Sequence, residues 1–171
     1  SEMCIRDSVK AARKQGLDVA LSLTLQCAPD HPWVQSHPEW FTILPDGYLA
    51  VAENPPHKYP DIYLLNFDND YDGLIQEIER IVRVWIKRGV RIFAVDRPDS
   101  KPGMFWEDLI SRIKKTDSDV LFLAETFTRP APMFGLARLG FSQSYTHFIW
   151  KTTKQELEEF SLHTLRRLDE A

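Results

Sequence analysis

Two short apolar runs in this chain end in a carboxylate. Val90 to Pro98 reads VRIFAVDRP, an apolar stretch closed by Asp96. Val120 to Pro130 reads VLFLAETFTRP and repeats the plan, closing on Glu125. A continuous apolar run of this length is the mark of a buried parallel strand, and the acid then sits at its C-terminal end. Two carboxylates at the same end of neighbouring strands can carry glycoside chemistry with retention of configuration. One attacks the anomeric carbon; the other handles the proton of the leaving or arriving oxygen. That chemistry needs the two carboxyls about 5–5.5 Å apart. The plainer alternative is two unrelated acids, each a strand end or a helix cap. A third run, Asp18 to Leu25, ends at Gln26, an amide that can bind a polar ligand.

The elements around these runs alternate. Val9–Gln15 reads as a helix closed by Gly16, and Asp18–Leu25 as a strand broken before Pro29. Asp70 or Asp72 caps a helix whose apolar positions are Leu74, Ile78, Ile81, Val82 and Trp85, ended by Gly89. Phe105, Trp106, Leu109, Ile110 and Ile113 mark a second helix between the two carboxylate strands. After Glu125 come a short helix at Ala131–Leu139, Gly140, a strand at Phe141–Tyr145, and a last helix at Lys154–Leu168 carrying Leu157, Phe160 and Leu165. Residues 29–70 are rich in Pro, Asp, Asn and aromatics and read as one long irregular loop, a functional rather than a filler segment.

Strands alternating with helices imply an α/β fold with a parallel sheet and right-handed crossovers. A doubly wound sheet and a barrel both fit this order. Polar residues at three strand ends, Gln26, Asp96 and Glu125, favour a (β/α)8 TIM barrel. No GxGxxG or Walker turn follows any strand, which weakens a nucleotide-binding reading. A full barrel takes roughly 250 residues, so 171 residues supply a fragment, its middle strands and helices. Residues 1–8 match nothing that follows and are expected to be a non-native leader; residues 9–171 are then a partial catalytic barrel domain, cut at both ends.

Lys and Arg number 21 against 25 Asp and Glu, a formal charge of −4 that argues against nucleic-acid binding. No apolar run approaches the roughly 20 residues of a membrane span. Cys4 and Cys27 are the two cysteines and share no metal-type spacing, so a reduced, cytoplasmic setting is the simplest reading. Cys27 reads as a small buried residue rather than a nucleophile. His31 and His37 lie near Asp30 and Glu39, but their spacing fits no zinc pattern and turn positions are the better reading. No metal and no cofactor are expected. The segment 29–70 also offers sugar-binding types: Trp33, Trp40, Asn54, Tyr59 and Asp61. Packing aromatics of a satellite core are the competing explanation. Glu156, Glu158 and Glu159 read as a solvated helix face.

Four segments carry a resemblance: LTLQCAPDHPWVQSHPEWF, AENPPHKYPDIYLLNFDND, FAVDRPDSKPGMFW and LFLAETFTRPAPMFGLARLGFSQSYTHF. Over roughly Leu17 to Phe160 the chain resembles the bacterial maltosyltransferase family that uses maltose 1-phosphate, within the α-amylase superfamily (glycoside hydrolase family 13). The resemblance implies transfer of maltosyl from α-maltose 1-phosphate to the non-reducing end of an α-1,4-glucan, with retention and release of phosphate. It implies Asp96 as nucleophile and Glu125 as general acid/base. Gln26, Asp61 and the residue at 97, here Arg97, match donor-binding positions, and Asn54 and Tyr59 match positions near the donor phosphate. A cytoplasmic homodimer with further β-rich domains is the implied whole.

The chain departs from the family at four positions. Ala94 stands where the family has the Arg that holds the nucleophile ionised and oriented. Arg97 replaces Asn, and alternation along a strand would aim it away from Asp96. His57 replaces Lys, and Ser22 replaces Asp. Two alternatives stand beside transfer: an α-glucan hydrolase or trehalose-forming isomerase of the same superfamily, which the ENPP and KYPDIY segments argue against, and a catalytically dead glucan-binding barrel, which Ala94 and His57 motivate.

Overall fold

The computed structural model describes residues 2–126 and 130–168, with side chains from 5 to 126 and from 132 to 161. Helix α1 (Glu2–Lys14) leads into β1 (Ala20–Leu23), β2 (Gln26–Cys27) and α2 (Pro32–Ser36). The antiparallel strands β3 (Val51–Asn54) and β4 (His57–Leu64) follow. Then come α3 (Tyr71–Lys87), β5 (Ile92–Asp96), α4 (Gly103–Lys114), β6 (Leu121–Glu125), α5 (Pro130–Arg138), β7 (Gln143–Ser144) and α6 (Lys154–Leu168). Residues 2–8 belong to α1, which runs without a break through residue 9. The expected apolar position Leu165 lies outside the described side chains.

Four strands form one parallel sheet in the order β1-β5-β6-β7. The register aligns side chains into rows. Ala20, Ile92 and Leu121 form one, and Ser22, Ala94, Leu123 and Gln143 the next. Asp96 and Glu125 end the third. These residues lie on the sheet's open face. The alternate residues Phe93, Val95, Phe122 and Ala124 are fully buried on the other face. There α3 contributes Leu74, Ile75, Ile78, Val82 and Ile86, and α4 contributes Phe105, Trp106, Leu109, Ile110 and Ile113. Phe93 and Phe122 stack with centroids 5.6 Å apart, holding the central pair of strands face to face.

The segment 29–70 is not one irregular loop. It contains α2 and the hairpin β3–β4, which β2 just ahead of it completes into an antiparallel sheet in the order β2-β4-β3. Its strands hide from a hydrophobic pattern because most of their residues are exposed and β4 carries Pro60, a residue that argues against a strand in sequence. The expected strand Asp18–Leu25 divides accordingly, β1 joining the parallel sheet and β2 the antiparallel one. The expected strand Phe141–Tyr145 shrinks to Gln143–Ser144, with Phe141 buried ahead of it.

Asp70 fastens the turn Pro38–Trp40 to the start of α3. It caps α3 by accepting from Gly73 N (3.0 Å) and accepts from Trp40 Nε1 at 2.9 Å. Both bonds hold its carboxyl below the usual range, the Trp40 bond more strongly. At the opposite end of the sheet, Arg83 of α3 ties Glu79, Thr116 and the Arg112 carbonyl together, and Arg91 pairs with Asp117. Polar bracing at the N-terminal ends of barrel strands serves stability.

Gly16 and Gly140 close α1 and α5 with φ of +73° and +105°. A Cβ on Gly140 would also lie 2.8 Å from Ile110 Cγ2 of α4. Gly140→Ala is therefore expected to destabilise by about 2 kcal/mol. Gly135→Ala, inside α5 with open space around it, is expected to be neutral or stabilising by up to about 1 kcal/mol. Urea unfolding of the two variants beside the parent checks the pair.

Candidate active site

Asp96 is the last residue of β5 and Glu125 the last of β6, and the two are partners in the parallel ladder. Partners in a ladder project on the same face, and neighbouring strands lie about 4.8 Å apart. That is the separation range of a retaining carboxylate pair, about 5–5.5 Å. Both residues are half-buried, open to a substrate yet held by the strands beneath them.

Several bonds fix the chain just beyond the pair. Arg97 N donates to the Glu125 carbonyl at 3.1 Å, extending the ladder past the strand ends. The buried Thr126 donates through Oγ1 to Asp99 Oδ1 at 2.7 Å, tying the two following loops together. The buried Trp106 indole donates to the Pro98 carbonyl at 2.9 Å. A third strand end joins through Tyr145, which directly follows β7. Its N donates to the Ala124 carbonyl at 3.0 Å, and its Oη donates to Glu125 Oε1 at 3.1 Å. That bond to a carboxylate pushes the Tyr145 phenol up, so it remains a donor at neutral pH.

Two cavities open beside Asp96. One, of about 540 Å³, is lined by Asn54, Asp96, Arg97, Glu125 and Tyr145, with Asp99 and Thr126. The other, of about 430 Å³, brings Gln26, Asn66, Asp96, Arg97 and Lys101 together with residues of β3 and β4. Burial lowers the Lys101 ammonium, Arg97 adds to this by repulsion, and Asp96 and Asp99 oppose it.

Five of the seven expected site residues thus line cavities that include Asp96: Gln26, Asn54, Arg97, Glu125 and Asp96 itself. Tyr59 and Asp61 lie on β4 and line neither cavity; Tyr59 is 39% exposed and pairs with Ala52. His57 pairs with Asn54 at the hairpin end. Arg97 corrects the alternation argument. β5 ends at Asp96, and Arg97 turns out of the strand with φ 44° and ψ 57°. The left-handed turn brings it to line both of the cavities that Asp96 lines. Sequence reasoning missed Tyr145 and Lys101. Tyr145 follows a two-residue strand too short for any periodicity, and Lys101 follows a turn rather than an apolar run.

The remaining candidates are structural. Trp40 is buried against Trp33 and stacks on His37 at 3.9 Å. His31 Nδ1 caps α2 through Trp33 N, and His37 pairs with Glu39 at 3.0 Å. The buried Cys27 thiol is pushed up to about 11 by desolvation, as for an inert packing residue. Glu156 is not merely solvated: it accepts from Thr152 N and Thr153 N ahead of α6. Among the described residues no group of three or more His, Cys, Asp or Glu is placed to hold a metal ion, and no helix is long and apolar enough to cross a membrane.

No family model matches the chain. It is 60% identical over 163 residues to the α-1,4-glucan:maltose-1-phosphate maltosyltransferase of Mycolicibacterium smegmatis, a match covering 95% of this chain and 23% of that protein. It is 56% identical over 158 residues to the enzyme of the same name from Corynebacterium glutamicum, covering 92% and 23%. The chain therefore spans less than a quarter of the length of these relatives. Among solved structures it is similar to a maltogenic α-amylase, AmyB, from Thermotoga neapolitana (TM-score 0.71, 20% identity, 91% of this chain and 36% of that one). A family GH13_31 enzyme matches with TM-score 0.72 at 13% identity, over 97% of this chain and 44% of that one. The fold is a fragment of an α-amylase-type (β/α)8 barrel.

The left-handed backbone at Arg97 generates a prediction. A residue with a long side chain is strained there, and Asn tolerates the region far better. Arg97→Asn is expected to raise stability by roughly 1 kcal/mol, read as an increased urea midpoint with an unchanged denaturant slope.

Proposed function

We propose that this chain, homologous to the α-1,4-glucan:maltose-1-phosphate maltosyltransferases, is the part of such an enzyme that carries its nucleophile and its acid/base. Residues 9–171 form part of the catalytic barrel domain. The reaction transfers maltosyl from α-maltose 1-phosphate to the non-reducing end of an α-1,4-glucan and releases phosphate. The observation that carries this reading is the in-register pairing of Asp96 and Glu125 at adjacent strand ends beside a cavity.

In the first step an Asp96 carboxylate oxygen attacks the anomeric carbon as its bond to the phosphate oxygen breaks. The phosphate departs with the bonding electrons, leaving a β-maltosyl ester on Asp96. In the second step the acceptor 4-hydroxyl attacks that carbon, Glu125 takes the hydroxyl proton, and Asp96 is freed. Two inversions give net retention. Phosphate is a good leaving group, so Glu125 acts chiefly as the base of the second step. Gln26, Asn54 and Arg97 hold the donor from the cavity walls; Asp61 and Tyr59, on β4, are the two expected donor residues that line neither cavity. The reading carries with it a cytoplasmic enzyme that works at full length as a homodimer.

Ala94 favours a second reading, a barrel that binds glucan without turning it over. It lies on the same strand face as Asp96, in a row with Ser22 and Leu123, and offers no cation to the carboxylate.

Phosphate release from maltose 1-phosphate with a maltooligosaccharide acceptor decides between them, using the gene extended to both natural ends. Release is expected, and Asp96→Ala is expected to lower it on the order of 10⁴-fold or more. Ala94→Arg restores a charge-assisted bond worth about 1.5–3 kcal/mol, so it is expected to raise the rate roughly 10- to 100-fold. Glucan binding with no phosphate release, from the parent and from Ala94→Arg alike, would sink the transferase reading.

A further inference from the structure

We propose that Tyr145 is a positioning residue for Glu125, holding one carboxyl oxygen so that the other faces the acceptor hydroxyl. The assignment rests on the maltosyl-transfer reading. Its geometry comes from the third strand of the site. The β6–β7 register pairs Leu123 with Gln143 and Ala124 with Ser144, which brings residue 145 alongside Glu125. The bond from Tyr145 N to the Ala124 carbonyl, 3.0 Å, locks the backbone there. The phenol then spans to Glu125 Oε1 at 3.1 Å, and both residues line the cavity that also contains Asp96.

The chemistry gives this bond a role that differs between the two steps. A carboxylate on a side chain with three rotatable bonds must present one oxygen to the incoming hydroxyl. A donor fixed to Oε1 leaves Oε2 as the base and removes the rotamers in which neither oxygen points at the acceptor. The phenol gives up no proton, since its O–H stays on oxygen throughout. Donor cleavage draws on this arrangement less, because phosphate is a good leaving group and needs little proton assistance from Glu125. Transfer to the acceptor depends on it, because the 4-hydroxyl proton must reach Glu125 as the new bond forms.

Rapid-quench kinetics on the full-length enzyme separate the two steps. Tyr145→Phe is expected to keep the pre-steady-state burst of phosphate from maltose 1-phosphate, with acceptor-dependent transfer about tenfold slower. The maltosyl-enzyme should accumulate as a result. A loss shared equally by both steps would mark a structural residue, and unchanged transfer would remove the role; either overturns the proposal. If the parent itself releases no phosphate, the transferase reading fails, and a second measurement still tests the bond. The ultraviolet titration of Tyr145, taken as the difference between parent and Tyr145→Phe, is expected to move to lower pH in Glu125→Gln. No movement would show that the phenol does not face Glu125, whatever the activity.

Discussion

Everything at the candidate site depends on the parallel pairing of β5 with β6. Hydrogen bonding between neighbouring strands leaves no freedom in their separation, and the register leaves none in which residues face each other. Asp96 meets Glu125 because Ile92 meets Leu121 four residues earlier. A slip of either strand by one residue would send its carboxylate to the helix side, into a layer filled by Phe93, Phe122 and the faces of α3 and α4, and would part the pair. The buried aromatic contact on that side therefore works for the chemistry on the other. It makes the productive register the one that keeps apolar surface out of water.

The antiparallel sheet solves a different problem. Parallel strands can deliver groups to a site only at their ends, so a cleft above them needs walls from elsewhere. Gln26 from β2 and Asn54 from β3 supply such walls; Trp40, whose carbonyl takes the Asn66 amide just after β4, is joined to the start of α3 by Asp70, which accepts from both the Trp40 indole and the Gly73 amide. The loops after β5 and β6 are bound to each other by Thr126 and Asp99 and anchored by the Trp106 indole. Each rim of the cleft thus hangs from a buried or half-buried polar bond, which gives it more definition than exposed loops have by themselves.

What the sequence discloses follows from where apolar contrast exists. The helix at Lys154–Leu168 shows a clear amphipathic period and is observed with those bounds. The strands ending in Asp96 and Glu125 are apolar runs cut off by charge, and they are legible for that reason. β3 and β4 are exposed on most positions and draw their stability from the ladder between them, so their residues need not alternate. Tyr145 is invisible for another reason: its position is set by two residues of β7 and by a long-range bond, and neither leaves a periodic trace. Arg97 misleads because the alternation rule holds only while the chain stays extended, and it leaves the extended region directly after Asp96.

That left-handed residue also governs how the site can vary over generations. Any side chain at position 97 is filtered first by the backbone, before its contact with a ligand is judged. Valine, isoleucine and threonine are excluded by crowding at Cβ and proline by its fixed φ, whereas glycine, asparagine and aspartate pass freely. A guanidinium at this position is therefore a costly variant reached against the local steric preference. Its retention would report selection on what the side chain touches, and its drift back toward an amide would report selection on the turn alone.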